Sequence, residues 1–256
     1  MDFNGKVVLI TGASSGIGAA TAEYFASRGA LLALTGRNKE NLLQVFNDCQ
    51  ASGNKECLTI IADLTNEIDV ERIISQTIEK YGRLDVLVNN AGILENGSIE
   101  NTSLAQYDRI FNTNVRSVYH LTMLAVPHLI KTKGVIVNVS SVTGTKSFPG
   151  VLSYCMSKAA IDQFTKCVAL ELAPKGVRVN SVNPGVIITN IHKRGGMDEA
   201  TYKEFLEKCK NTHALGRPGE PKEVAAAIGF LASDASSFTT GEQLHIDGGR
   251  HAMCPR

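Results

Sequence analysis

Seven short runs of β-branched and aliphatic residues, separated by longer amphipathic stretches, constrain this chain more than any other feature. The runs cover 6–11, 30–35, 57–62, 84–89, 134–140, 177–183 and 242–246. Their hydrophobicity is nearly continuous, the pattern of strands buried on both faces. The stretches between them, 16–28, 39–51, 66–81, 104–131, 152–173 and 221–232, carry helical periodicity. In the fifth, Ile161, Phe164, Val168 and Leu172 step by three, four and four. Strand–helix alternation of this kind implies right-handed crossovers and an open parallel sheet with helices on both faces. The expected class is therefore α/β, a doubly wound parallel seven-stranded sheet of Rossmann type.

No linker, repeat or low-complexity tract breaks the rhythm, so residues 1–256 read as one domain. It lapses only at 186–219, where His192-Lys193-Arg194 precedes Gly195-Gly196. An insertion that long in a compact domain is usually functional, and a substrate lid is expected there, with the glycines letting it move. The three basic residues read either as a solvated face of that lid or as a reception site for an acidic group.

Charge and cysteine usage exclude several classes of function. Lys plus Arg number 26 against 25 Asp plus Glu, without a basic block, so neither nucleic acid nor an anionic membrane is an expected partner. Cys49, Cys57, Cys155, Cys167, Cys209 and Cys254 form no CxxC pair and no zinc-spaced cluster, so no metal is expected. Dispersed thiols suit a reducing compartment, and Met1 to Gly5 leads almost at once into the first run; the expected location is cytoplasmic. Cys155 reads as a packing residue.

The first strand–helix junction reads Thr11-Gly12-Ala13-Ser14-Ser15-Gly16-Ile17-Gly18. Glycines there permit a tight turn and close backbone approach to a pyrophosphate, and the helix N-terminus supplies N–H groups and partial positive charge. The candidate cradle is Gly12, Ser14, Ser15, Gly16, Ile17 and Gly18. An acid about 20 residues downstream would bind the ribose hydroxyl of NAD. Here 30–39 contains no acid, and Arg37 offers a planar fork to a 2′-phosphate. NADP(H) is expected over NAD(H); the alternative is that Arg37 is a solvated residue at a helix start.

Tyr154 and Lys158 lie at i,i+4 on one helix face. A cation about 4 Å from the phenol, at an effective dielectric near 20, contributes roughly 4 kcal/mol. That would lower the tyrosine pKa by up to about three units, toward the range where a proton-exchanging group works best. The expectation is a general acid/base tyrosine made acidic by its lysine.

With these motifs in order, the chain resembles the single-domain short-chain dehydrogenase/reductase family over nearly its whole length. The resemblance rests on the glycine turn, Asp63-Leu64, Asn89-Asn90-Ala91-Gly92, Asn114, Ser140-Ser141, the Tyr154-to-Lys158 motif and Asn183-Pro184-Gly185. It implies Asn114, Ser141, Tyr154 and Lys158 as the catalytic set. Ser141 would hold the substrate oxygen, and Asn114 would relay protons between Lys158 and solvent through a water. Tyr154 and Lys158 would also touch the coenzyme, Lys158 at the nicotinamide ribose. Asp63 and Leu64 would meet the adenine, and Asn90, Ala91 and Gly92 would line the central stretch. Pro184, Gly185, Ile187 and Thr189 would fix the carboxamide.

The implied activity is hydride transfer between NADP(H) and a carbonyl or secondary alcohol. The substrate would be a hydrophobic ketone (steroid, terpenoid or xenobiotic) or a 3-oxoacyl thioester, of the kind used by 3-oxoacyl-carrier-protein reductases and hydroxysteroid dehydrogenases. Val142, Thr143, Pro149, Val151, Ile187, Ile188 and Ile191 form the expected pocket wall. The rival reading is a coenzyme-binding sensor or structural subunit without turnover. Resemblance also implies a homotetramer, pairing 104–131 with 152–173 across one axis and the C-terminal strand region across another.

Overall fold

Alternate residues of the first strand serve opposite faces of the molecule. In the computed structural model, which describes residues 1–53 and 56–254, Val7 and Leu9 face one apolar cluster and Val8 and Ile10 another. That strand, β1 (Val7–Thr11), pairs in parallel with β2 (Leu31–Gly36) and β4 (Val86–Asn89). β3 (Cys57–Ile61) continues beyond β2, and β5 (Val135–Val139), β6 (Arg178–Pro184) and β7 (Gln243–Ile246) continue beyond β4. The order is β3-β2-β1-β4-β5-β6-β7, every pairing parallel. Strand order reverses between β1 and β4, which opens a crevice at the carboxyl ends of those two strands.

Helices α1 (Gly16–Ala26), α2 (Lys39–Ala51) and α9 (Pro221–Ala232) cover one face. There Phe25, Leu42, Val224 and Ile228 pack on Val8, Ile10 and Leu34. Helices α3 (Glu67–Tyr81), α5 (Ser117–Thr132) and α6 (Leu152–Leu172) cover the other, with Ile73, Leu121, Leu129 and Leu172 against Leu9, Leu87 and Ile136. Continuous apolarity therefore describes the central strands. It fails at the edges: β3 and β7 have no neighbour on one side and are only half covered.

Buried amides tie the sheet to the helices that carry the site. The Asn89 Nδ2 donates to Asn138 Oδ1 at 2.9 Å and to Thr122 Oγ1 on α5 at 3.1 Å. The Asn138 Nδ2 donates to Thr165 Oγ1 on α6 at 2.9 Å. All four side chains are buried, so each bond fixes register that apolar contact alone would leave free to slide.

One segment departs from the sequence expectation. The helix expected over 104–131 is three pieces: α4 (Leu104–Phe111), a π-helical turn Asn112–Arg116, and α5. The segment 186–219, where the strand rhythm lapses, contains two helices, α7 (Ile191–Arg194) and the fourteen-residue α8 (Glu199–Thr212). Its neck is closed by backbone bonds, Gly219 N–H to Val186 O at 2.9 Å and Ile188 N–H to Gly219 O at 2.9 Å. Among the described residues, no helix is long and apolar enough to cross a membrane, and no group of His, Cys, Asp and Glu is placed to hold a metal ion.

Candidate active site

The turn after β1 is built from backbone that side chains cannot occupy. Gly12 and Gly16 have φ of 62° and 57°, and a Cβ on Gly12 would stand 2.9 Å from the Ala91 Cα. A Cβ on Gly18 would collide with the Gly12 carbonyl and the Asn90 amide. Asn90 locks the turn from the next strand, its Nδ2 donating to Thr11 O at 2.8 Å and Gly12 O at 3.2 Å. At the α1 N-terminus, Ser15 caps no amide with its side chain and the first turn holds no acid. Ser15, Gly16 and Ile17 line the crevice, and the first N–H groups of a helix have no intrahelical partner, as anion binding requires.

The crevice is a cavity of about 940 Å³ over the carboxyl ends of the sheet. It brings together Gly12, Ser14, Ser15, Gly16, Ile17, Arg37, Asp63, Leu64, Asn90, Ala91, Gly92, Ser141, Tyr154, Lys158, Pro184, Gly185, Ile187 and Thr189. Of the residues expected at the site, Gly18 and Asn114 do not line it. Gly18 acts beneath it, as the contact on Gly12 and Asn90 that keeps helix and turn close. Val142, Thr143, Pro149, Val151, Ile187 and Ile191 also line the cavity, whereas Ile188 turns away to the surface.

Asn114 sits in the π-helical turn, buried, and spends both ends of its amide on structure. The Ile93 N–H donates to its Oδ1 at 2.8 Å, and its Nδ2 donates to Ile93 O at 2.9 Å and Ser157 Oγ at 3.1 Å. It pins the loop after β4 to α6. A π turn inserts one extra residue, and here that displacement aims Asn114 at the Ile93 backbone.

Tyr154 and Lys158 share one face of α6, and both are buried. The Lys158 Nζ donates to Val139 O at 2.9 Å and lies 5.6 Å from the centre of the Tyr154 ring. Ser141 lines the cavity beside Tyr154, and its Oγ accepts the Thr143 amide at 3.1 Å. The expected acidic phenol is not what this arrangement produces. Burial pushes the Tyr154 phenol up to about 12, with the Ser141 hydrogen bond pulling in the other direction. Burial also pushes Lys158 down to about 8, opposed by the charge of Asp162. Desolvation disfavours the charged form of both groups and is the largest cause of each shift.

At the other end, Arg37 stands exposed with its guanidinium 3.9 Å from Asp63. The other Asp63 oxygen accepts the Thr65 amide and hydroxyl. Arg194 reaches from α7 to the glycine turn, donating to Ser15 Oγ at 2.9 Å, so this basic residue faces the turn. Lys193 is paired with Glu199 at 2.6 Å. Cys155 packs toward the Phe148 carbonyl with its sulfur 4.0 Å away.

Residues 12–251 match the family model described as enoyl-(acyl carrier protein) reductase. The chain is 40% identical to the 3-oxoacyl-acyl-carrier-protein reductase FabG of Thermotoga maritima, covering 97% of this chain and 99% of that one. It is 38% identical to the meso-2,3-butanediol dehydrogenase of Serratia marcescens, over 98% and 97% of the two chains. A crystal structure of a Caenorhabditis elegans short-chain dehydrogenase/reductase, of unknown function and with cofactor, superposes with a TM-score of 0.94 at 36% identity, covering 98% and 97%.

The chain belongs to the short-chain dehydrogenase/reductase family. Levodione reductase superposes equally well, with a TM-score of 0.94 at 31% identity over 98% of this chain and 100% of that one. This member is thus an oxidoreductase by family, with the fold of its relatives over the whole described chain.

Sequence reasoning about this short-chain dehydrogenase/reductase missed Arg250, which also lines the cavity. It follows β7 through two left-handed glycines, Gly248 and Gly249, and no motif flags a lone arginine near a chain end.

The depressed Lys158 gives a stability prediction. Its pKa is about 8 in the folded protein against an ordinary 10.5, so between those values the unfolded chain binds more protons. Folded stability from this group therefore rises with pH through that window. Subtracting the urea midpoint of Lys158→Met from that of the coenzyme-free wild type, at steps from about pH 8 to 10, isolates it from the cysteines. The difference should grow with pH; a flat difference refutes the assignment.

Proposed function

We propose that this protein is an NADP(H)-dependent oxidoreductase interconverting a carbonyl and a secondary alcohol. The observation carrying that reading is the placement of Ser141, Tyr154 and Lys158 in the wall of the same cavity as the glycine turn and Arg37. A bound nicotinamide dinucleotide would supply the hydride half of the chemistry. The cradle suits such a group, because Gly12, Gly16 and the uncapped start of α1 leave backbone N–H groups and room for a diphosphate. Arg37 would receive the 2′-phosphate, giving up only a long, exposed contact with Asp63. Leu64, Ala91 and Gly92 would line the dinucleotide; Lys158 would hold its ribose, and Pro184, Gly185, Ile187 and Thr189 its carboxamide.

The protein's own part is proton management at the substrate oxygen. Ser141 already accepts the Thr143 amide, which leaves its hydroxyl proton to donate to that oxygen. Tyr154 holds its proton at neutral pH, which suits donation to a carbonyl undergoing reduction. Asn114 acts as the brace that keeps the Ile93 loop against α6. Segment 186–219 serves as the lid, since α7 touches the glycine turn through Arg194.

The apolar wall of Val142, Val151, Ile187 and Ile191 supports a ketone or alcohol with an apolar body. Names such as butanediol dehydrogenase, levodione reductase and 3-oxoacyl-acyl-carrier-protein reductase among the relatives are consistent with such substrates or with a 3-oxoacyl thioester. The working form would be a homotetramer, because apolar side chains lie exposed on the two long helices, Tyr119 and Met123 on α5 and Met156 and Leu170 on α6. Phe238, fully exposed before β7, would mark the second contact.

Three measurements check this reading. Tyr154→Phe should lower kcat for ketone reduction by about 10²–10⁴, with coenzyme affinity held within a few-fold; unchanged turnover would remove Tyr154 as proton donor. Arg37→Ala should weaken NADPH binding at least about tenfold and leave NADH binding nearly untouched, since a charged hydrogen bond is lost for one coenzyme only. Light scattering at micromolar concentration should give four times the chain mass, and a stable monomer would exclude the assembly.

A further inference from the structure

The cavity has one guanidinium that neither the fold nor the proposed coenzyme site uses. Five Lys and Arg side chains line it, Arg37, Lys158, Lys193, Arg194 and Arg250, against a single carboxylate, Asp63. Four of the five have polar partners: Arg37 has Asp63, Lys158 has Val139 O, Lys193 has Glu199, and Arg194 has Ser15. The Arg250 guanidinium has no ion pair and no hydrogen-bond acceptor among the described residues. It lies instead over the Phe148 ring, 4.4 Å from its centre.

Arg250 is held there by a built turn. The Gly249 N–H donates to Asp247 Oδ1 at 3.0 Å, and the His251 N–H donates to Asp247 Oδ2 at 2.7 Å. The His251 ring adds Nδ1 contacts to the same carboxylate at 3.0 and 2.9 Å. Asp247, the acid nearest in sequence, is therefore spent on this turn and makes no direct ion pair with Arg250, acting on it only as a more distant charge. The guanidinium is half-buried, and burial lowers its pKa, so its positive charge is poorly solvated. Across the same wall stands His192, its ring 4.6 Å from Phe205; burial first, and then the Arg250 charge, keep its pKa below the ordinary value. At neutral pH that imidazole adds a dipole and little competing charge.

A partly desolvated arginine without an acceptor, stacked on an aromatic ring in a ligand cavity, is suited to receive an anion bidentately. We propose that Arg250 is a substrate-specificity residue, its guanidinium receiving a carboxylate or phosphate carried by the same molecule whose carbonyl meets Tyr154 and Ser141. Phe148 positions the guanidinium, and His192 offers a neutral hydrogen-bond partner beside it. The inference rests on the cavity being the substrate site, and it narrows the substrate class from apolar ketones to oxo acids or oxo phosphates with an apolar middle.

The test is steady-state reduction of matched pairs with NADPH: aliphatic oxo carboxylates against their methyl esters, and oxo phosphates against the corresponding ketones without phosphate. Wild type should favour the anionic member of at least one pair by about tenfold or more in kcat/KM; which pair identifies the anion. Arg250→Met should bring that ratio to about one, and Arg250→Lys should retain part of it, because charge survives without the fork. Coenzyme affinity by fluorescence titration reports whether each variant is folded. Should Arg250→Met fail to fold, Phe148→Leu is read the same way, through a fall in the ratio. Equal use of anionic and neutral members by wild type overturns the inference, as does an anion preference that survives the substitution. Neutral ketones still reduced in a Tyr154-dependent manner would then leave the proposed reaction standing; no turnover of either member would remove both.

Discussion

Covering a parallel sheet on both faces leaves polar chemistry one place to go. Most residues of β1, β4 and β5 are consumed alternately by the two apolar clusters, and the polar side chains between them, Asn89 and Asn138, are spent on bonds to each other and to α5 and α6. The carboxyl ends are different. There the chain must turn, backbone N–H groups lose their ladder partners, and the reversal between β1 and β4 parts the crossovers. The glycine turn, the Asn90 clamp, Ser141 at the end of β5 and Pro184 at the end of β6 all follow from that constraint.

The same burial sets the electrostatics of the acid/base pair. Placing Tyr154 and Lys158 one helical turn apart suggests mutual stabilisation, but an ion pair is favoured only where its Coulomb attraction exceeds the cost of desolvating both charges. Here the ammonium is turned to the Val139 carbonyl, and desolvation acts on both side chains at once. The result is a phenol that keeps its proton and a lysine closer to neutrality. Both groups are thereby held toward their uncharged forms.

The legible part of this protein was whatever repeats or carries special backbone. Each strand was readable because β-branched runs a few residues long have few alternatives, and the glycine turn because Gly12 and Gly16 adopt φ values that other residues avoid. The π turn was not readable: residues 104–131 keep helical periodicity straight through it, and the inserted residue is forced by the fit of Asn114 to the Ile93 backbone, a contact far apart in sequence. Edge effects were invisible for a related reason, since β3 and β7 look like central strands until the topology puts them outermost. Lys158 was correctly placed on the tyrosine's face, yet its direction depends on the Val139 carbonyl, which only the packed structure supplies. Arg250 depends on the turn that Asp247 organises, and sequence proximity to a chain end gives no hint of a cavity.

Segment 186–219 ties the two ends of the cavity together. Thr189 packs on the glycine turn so closely that a Cβ on Gly16 would stand 3.1 Å from its methyl group, and Tyr202 on α8 donates its hydroxyl to the Thr189 carbonyl at 2.9 Å. Within the single turn of α7, His192 leans on Phe205 at one end of the cavity while Arg194 reaches Ser15 at the other. Neighbouring positions on one helical turn point in different directions, so four residues are enough to touch both ends. The neck of the segment is pinned at Val186 and Gly219, and α7 carries both the contact to the glycine turn and His192 in the wall that contains Arg250. The end proposed to hold a dinucleotide and the end proposed to meet a substrate thus share one short helix.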